Sequence, residues 1–190
     1  MEKMGKEIDR LSNELTALRW RFWEEYTLFT WQWWSYVAAC VLFVVLAVWL
    51  LRRKELVPAI AYYGIAYLLN RNLDDWATMM DWYDYRMQLE PTIPTNEVAN
   101  IFAVPISLML LYHRLPTWKS YGIGLLAFAA AVAYGALPMM KLANIYALKE
   151  WNSHWSFLSL LVIGTIAKAA VDAFRRLEGR TGMRDRIGSR

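Results

Sequence analysis

Asn70, Asp74 and Asp81 stand four and seven residues apart, and Arg71 and Asp75 stand four apart, where an apolar stretch closes on Asn70-Arg71-Asn72-Leu73-Asp74-Asp75-Trp76. Such spacings share a helix face, so an Arg71–Asp75 pair and a second polar stripe are expected if the helix runs on through Met80. Carboxylates beside amides can hold a cation by ion pairing or oxygen coordination, and the neighbouring Trp76, Trp82, Tyr83 and Tyr85 offer ring faces for cation–π contact. Asp81 and Asp84 extend the acidic run and Glu90 and Glu97 follow, while Asn96 and Asn100, then Asn152, Ser153 and His154, open two later apolar stretches. The candidate ligand- or ion-binding set is Asn70, Arg71, Asp74, Asp75, Asp81, Asp84 and His154. The structural alternative is that these groups hydrogen-bond between helices. His154 offers a metal ligand or base, yet no catalytic residue is assigned. His113 and His154 fall at opposite ends of the expected spans, and there is no His-x-x-x-His pair, Ser-His-Asp set or glycine-rich phosphate loop. The sequence specifies neither a cofactor nor a metal.

The elements that must position these residues follow from the segregation of the chain's 57% hydrophobic and 20% charged residues, which leaves a mean hydropathy of only +0.19. Residues 31–51, 56–76, 98–115, 120–138 and 154–173 are apolar, and their only charges are Arg71, Asp74, Asp75, Arg114, Lys168 and Asp172. Each stretch is close to the roughly 20 residues a helix needs to cross about 30 Å of hydrocarbon. The expected fold is an all-α polytopic membrane bundle of five spans with an amino-terminal amphipathic helix. Residues 1–30 form that helix, 31–173 the bundle and 174–190 a basic cytoplasmic tail. The pattern excludes an ordinary soluble domain, and the length excludes a second folded domain beside five spans. The lone Cys40, inside the first stretch, excludes an intramolecular disulfide and a thiolate cluster.

Basic residues near span ends set the sidedness. Arg52, Arg53 and Lys54, then Arg114 and Lys119, then Arg175, Arg176, Arg180, Arg184, Arg186 and Arg190 gather on one side. The expectation is a cell-membrane protein with its amino terminus outside and its carboxyl terminus in the cytoplasm. The basic tail is expected to meet anionic lipid rather than nucleic acid. No cleavable secretory signal is expected, because the first apolar stretch begins only at Trp31. On this topology Trp20, Trp23, Trp31, Trp33, Trp34, Trp76, Trp82, Trp151 and Trp155 lie outside, as a headgroup-level belt would place them, leaving Trp49 and Trp118 inside.

Met4, Ile8, Leu11, Leu15, Leu18, Phe22, Glu25 and Phe29 recur at alternating steps of four and three, a heptad rhythm broken only by Glu25. The expected roles are a homo-oligomer through residues 4–29, a helix on the lipid surface, or a helix folded back on its own bundle. Ala127, Ala131 and Gly135, alongside Ala129 and Ala133, predict close packing that makes the fourth stretch central. Pro105 predicts a kink, and Lys168 with Asp172 a pair or a snorkelling lysine.

Residues 31–173 resemble an uncharacterised family of small multi-pass integral membrane proteins of endospore-forming bacteria. The segments carrying the likeness are Asn70 to Asp75, Pro105-Ile106-Ser107-Leu108-Met109-Leu110-Leu111-Tyr112, Trp118, Ile145-Tyr146, and Trp151-Asn152-Ser153-His154-Trp155-Ser156-Phe157. The chain departs from that pattern at His113, at Trp155 and in its long amino-terminal helix. The resemblance implies a four-to-five-helix membrane protein and no particular reaction. The expected function is a structural, partner-binding or sensory membrane component. The alternative is a small cation-binding transporter or channel using the outer acidic cluster, with a membrane enzyme third.

Overall fold

The computed structural model describes residues 1–51, 55–93 and 95–188, with side chains through residue 178. The described residues form six continuous helices: α1 Glu2–Tyr26, α2 Trp31–Leu50, α3 Leu56–Met79, a fourth over Val98–Arg114, a fifth over Trp118–Leu142, and a last, Ser153–Gly188. The fourth opens with a π-helical segment, Val98–Ala103, before α4, Val104–Arg114. The fifth comprises α5, Trp118–Ala131, a π-helical segment Val132–Ala136, and α6, Leu137–Leu142, and the last is α7. Two three-residue strands, β1 Tyr83–Tyr85 and β2 Tyr146–Leu148, complete the described elements.

Among the described residues, three helices are long and apolar enough to cross a membrane: α2, Trp118–Leu142, and α7 over Ser153–Glu178. The expected count of five is not supported. The last three turns of α3 carry Asn70, Arg71, Asn72, Asp74, Asp75 and Thr78, and Val98–Arg114 falls among the shorter apolar helices. Arg52, Arg53 and Lys54, and the expected tail's arginines beyond residue 178, lie outside the described residues or side chains. The backbone of α7 runs unbroken past residue 173 to Gly188.

The centre of the bundle is α3 rather than the fifth helix. Its Ala59, Tyr62, Ala66, Asp74 and Ala77 are buried at helical spacing, and it packs against both α4 and α7. On α5 and the π segment the inward stripe is Tyr121, Leu125, Ala129 and Ala133, while Ala127 and Ala131 are exposed. The small-residue repeat therefore faces both ways, and only its Ala129–Ala133 half joins the core. Where α5 meets α7, a Cβ on Gly164 would lie 2.6 Å from Leu125 Cδ1. The bare Gly164 lets its carbonyl accept from the hydroxyls of Tyr121 at 2.9 Å and Tyr62 at 3.3 Å.

Both π segments end just before a proline. The N–H of Val104 reaches the carbonyl of Ala99, and that of Leu137 reaches Val132, each one residue farther back than in an α-helix. Pro105 and Pro138 follow. Proline has no N–H to give the carbonyl four residues earlier, and for Pro105 that carbonyl belongs to Ile101, which accepts from the Tyr63 hydroxyl at 3.0 Å. Tyr63→Phe is expected to cost about 1 kcal/mol in thermal unfolding. The loss should shrink in a Pro105→Ala background, where an N–H replaces the hydroxyl; equal losses in both would separate the two residues.

Candidate functional site

Two loops that emerge from one end of the bundle are joined there by a ribbon. β1 follows α3 and β2 lies between α6 and α7; they pair antiparallel, with Tyr83 opposite Leu148, Asp84 opposite Ala147 and Tyr85 opposite Tyr146. The entries to both strands are built alike. After α3, Asp81 turns left-handed at φ 59, with its N–H on Thr78 and the N–H of Trp82 on Ala77. After α6, Asn144 does the same at φ 56, with contacts to Lys141 and from Ile145 to Met140. These are paired helix stops in which a short polar side chain tolerates the left-handed backbone.

In a strand, residues two apart share a face, so Tyr83 and Tyr85 project together toward the last turns of α3. Their hydroxyls both donate to Asp74 Oδ1, at 2.7 and 2.8 Å. Asn100, in the first π segment, donates its amide to Asp74 Oδ2 at 2.5 Å and accepts from the Asn70 amide at 2.6 Å. Asp74 is only 6% exposed. Among the described residues, no Lys, Arg or His stands within ion-pair distance of it.

The carboxylate lies on the wall of a cavity of about 260 Å³. Its polar end also carries Asn70, Asn100, Tyr83, Tyr85, Tyr146 and Trp151, and its apolar walls are Phe43, Leu73, Val104, Phe128, Val132, Leu137, Met140 and Leu160. Ser107, Ser156 and Ser159 are the remaining hydroxyls on the wall. Both π segments contribute to it, through Ala99, Asn100 and Ala103 and through Val132 and Ala136. Widened turns of this kind often mark functional sites in helices. The rings over the polar end support one another: Tyr83 lies 5.3 Å from Tyr146 and 5.7 Å from Trp151, and Tyr85 lies 5.4 Å from Tyr146.

Burial first, then the Asp74 charge, pushes the Tyr83, Tyr85 and Tyr146 hydroxyls well above the ordinary tyrosine range. They therefore stay protonated, as donation to a carboxylate requires. A group whose folded value is raised contributes stability that is intact below its unfolded value, near pH 10, and is lost as pH rises toward the folded one. Thermal stability is thus expected to hold up to about pH 10 and to fall above it. Tyrosinate absorbance would check this, because these three rings should ionise only as the protein unfolds.

Of the expected site residues, the structure brings Asn70 and Asp74 together. Arg71 and Asp75 form the expected pair, Nε to both carboxylate oxygens at 2.9 Å, beside the cavity rather than in it. The polar stripe ends at Asp74, because α3 stops at Met79 and Asp81 serves the turn. Asp81 pairs with Lys149, which also lies 3.9 Å from Asp84. His154 Nδ1 shares a 2.8 Å hydrogen bond with the Tyr134 hydroxyl, away from the acids. Among the described residues, no three His, Cys, Asp or Glu side chains gather as a metal-holding group. The sequence reading took Tyr83 and Tyr85 only as ring faces and gave Tyr146 no place in the site, so it missed the hydroxyls that hold Asp74. Their signal is the period-two run Tyr83-Asp84-Tyr85 beside acids. Compared with protein families, curated proteins and solved structures, the chain matches none.

Proposed function

We propose that this protein is a membrane-embedded binding component, sensory or partner-linked rather than catalytic, whose ligand is a small organic cation with an apolar body. The observation that carries this reading is the buried Asp74 carboxylate, held by three neutral donors on a cavity wall with no counter-cation among the described residues. Hydrogen bonds offset part of the cost of burying a carboxylate, but a charge of opposite sign offsets more. A ligand ammonium supplies that charge, and the rings of Tyr83, Tyr85, Tyr146 and Trp151 offer it cation–π faces. The apolar walls favour an organic rather than a hydrated inorganic cation. A volume of 260 Å³ is just below the roughly 300–1,000 Å³ of drug-sized clefts, so the ligand is small.

In the same reading all five bundle helices lie in the membrane, α3 and α4 packed against the apolar spans, with the ribbon on the outer side and the carboxyl terminus in the cytoplasm. The basic residues near the inner span ends support that orientation, and the basic tail meets anionic lipid there. Segments that carry the resemblance to the multi-pass family of endospore-forming bacteria supply Asn70, Asp74, Ser107, Tyr146, Trp151 and Ser156 to the cavity.

The test is thermal unfolding in lipid nanodiscs with short alkyl primary amines and the matching alcohols. A ligand at a hundred times its Kd stabilises by about 2.7 kcal/mol. The amines alone should raise the unfolding temperature; equal shifts with the alcohols, or none with either, would remove the cation from the proposal.

A further inference from the structure

Helix α1 has no buried residue, and it joins the bundle through a sharp turn in which Phe29 adopts φ 61. Its seam of Met4, Ile8, Leu11, Leu15, Leu18 and Phe22 is between 46% and 72% exposed along its whole length, a row of about 27 Å at 1.5 Å per residue. The width of the row narrows the choice of what covers it. Apart from Ala17 and Trp20, every position from Gly5 to Arg21 outside the seam is polar, charged or glycine. That is the two-in-seven seam of a coiled coil rather than the broader apolar face of a helix lying in lipid. Charge points the same way. Helices held on membrane surfaces are rich in Lys and Arg, but in α1 Lys3, Lys6, Arg10, Arg19 and Arg21 are outnumbered by Glu2, Glu7, Asp9, Glu14, Glu24 and Glu25.

We propose that α1 pairs with α1 of a second copy of this chain as a parallel two-stranded coiled coil. Two chains inserted in one membrane with one topology present their amino-terminal helices on the same side, which allows a parallel pair, and opposite charges at g and e select it over an antiparallel one. With Ile8, Leu15 and Phe22 at a and Met4, Leu11 and Leu18 at d, Glu14 occupies a g position and Arg19 the e position five residues on. In a parallel pair Glu14 of each helix falls opposite Arg19 of the other, twice over. The seam's lower half also borders an unfilled groove of about 330 Å³, across which lie Asp84, Arg86 and Gln88. The pairing is independent of what binds near Asp74.

Light scattering of the full-length protein in detergent tests it. The wild type should run at the mass of two chains and Leu11→Asp/Leu15→Asp at the mass of one, with the bundle's unfolding temperature unchanged. Arg19→Glu should weaken the dimer, and adding Glu14→Arg should restore it. In a Cys40→Ser background, Leu11→Cys should cross-link to a dimer on mild oxidation, because d residues meet their counterparts in a parallel pair. A one-chain wild type, an unchanged mass after Leu11→Asp/Leu15→Asp, a charge swap that does not restore the dimer, or no cross-link would each overturn the proposal. So would a one-chain protein whose tryptophan emission shifts on adding phosphatidylserine vesicles, which would assign the seam to lipid.

Discussion

Asp74→Ala is expected to be among the most damaging single substitutions in the bundle, and Asp74→Asn among the mildest at the same position. Removing the carboxylate strands three buried donors, the hydroxyls of Tyr83 and Tyr85 and the Asn100 amide. Each stranded buried donor costs about 1–3 kcal/mol, so even with partial relaxation the loss should be on the order of 3 kcal/mol. At about 2–4 °C per kcal/mol for a chain of this size, unfolding should fall by roughly 6–12 °C. Asparagine keeps one oxygen for the tyrosines and turns the other position into a donor. Asn100 and Asn70 can each rotate their amides by a half turn, so that the run from residue 74 through Asn100 to Asn70 stays paired with its direction reversed. The isostere thus isolates the charge from the hydrogen bonds. If both variants unfold near the wild-type temperature, the carboxylate is not the keystone of this end of the bundle.

Lys168, at the opposite end, should show a similar split between two substitutions. Its side chain is 1% exposed, and the ammonium lies 4.8, 5.1 and 5.2 Å from the ring centres of Tyr112, Trp118 and Tyr121. It donates to the Pro116 carbonyl at 3.3 Å and pairs with Asp172 at 3.3 Å. The lysine pairs as its spacing from Asp172 predicts, but it is enclosed rather than snorkelling, and it ties α7 to the α4–α5 turn. The Asp172 side chain is 22% exposed, so losing the pair leaves no fully buried charge and costs little. Lys168→Ala also empties the enclosed volume that the lysine fills, and that cavity should cost about 3 kcal/mol. Lys168→Met fills the same volume with an apolar chain that suits the three rings. It should stay within about 1 kcal/mol of wild type, since Asp172 is partly exposed and keeps the Tyr112 hydroxyl at 3.3 Å. Chemical denaturation in mixed micelles would separate them; a methionine variant as damaged as the alanine one would show that the charge itself holds the turn.

The apolar stretches were legible because hydrocarbon demands length and composition that few other structures need. That reasoning located α2, Trp118–Leu142 and α7. It counted α3 and the Val98–Arg114 helix as equals, although their polar ends and shorter apolar run set them apart. Spacing alone identified Arg71 with Asp75 and Lys168 with Asp172, because i,i+4 pairs depend only on a helix continuing. It failed at Asp81, since whether a helix continues through Met80 is decided by the left-handed turn and the ribbon beyond it. That ribbon joins residues more than sixty positions apart, and three-residue strands carry too little pattern to announce their partners. The π segments were equally hidden. Pro105 marked an irregularity, but the extra residue in the turn that aims Asn100 at Asp74 is a property of the packed helix.

The most direct measurement of the cation site is a fluorescence titration of the wild type and Asp74→Asn in nanodiscs with one short alkyl primary amine. Trp151 on the cavity wall supplies the signal. The wild type should show saturable quenching that the matching alcohol does not reproduce, and Asp74→Asn, folded and with its unfolding temperature close to wild type, should lose at least tenfold in affinity, about 1.4 kcal/mol. Equal affinities for the two proteins would contradict a site built around the Asp74 charge.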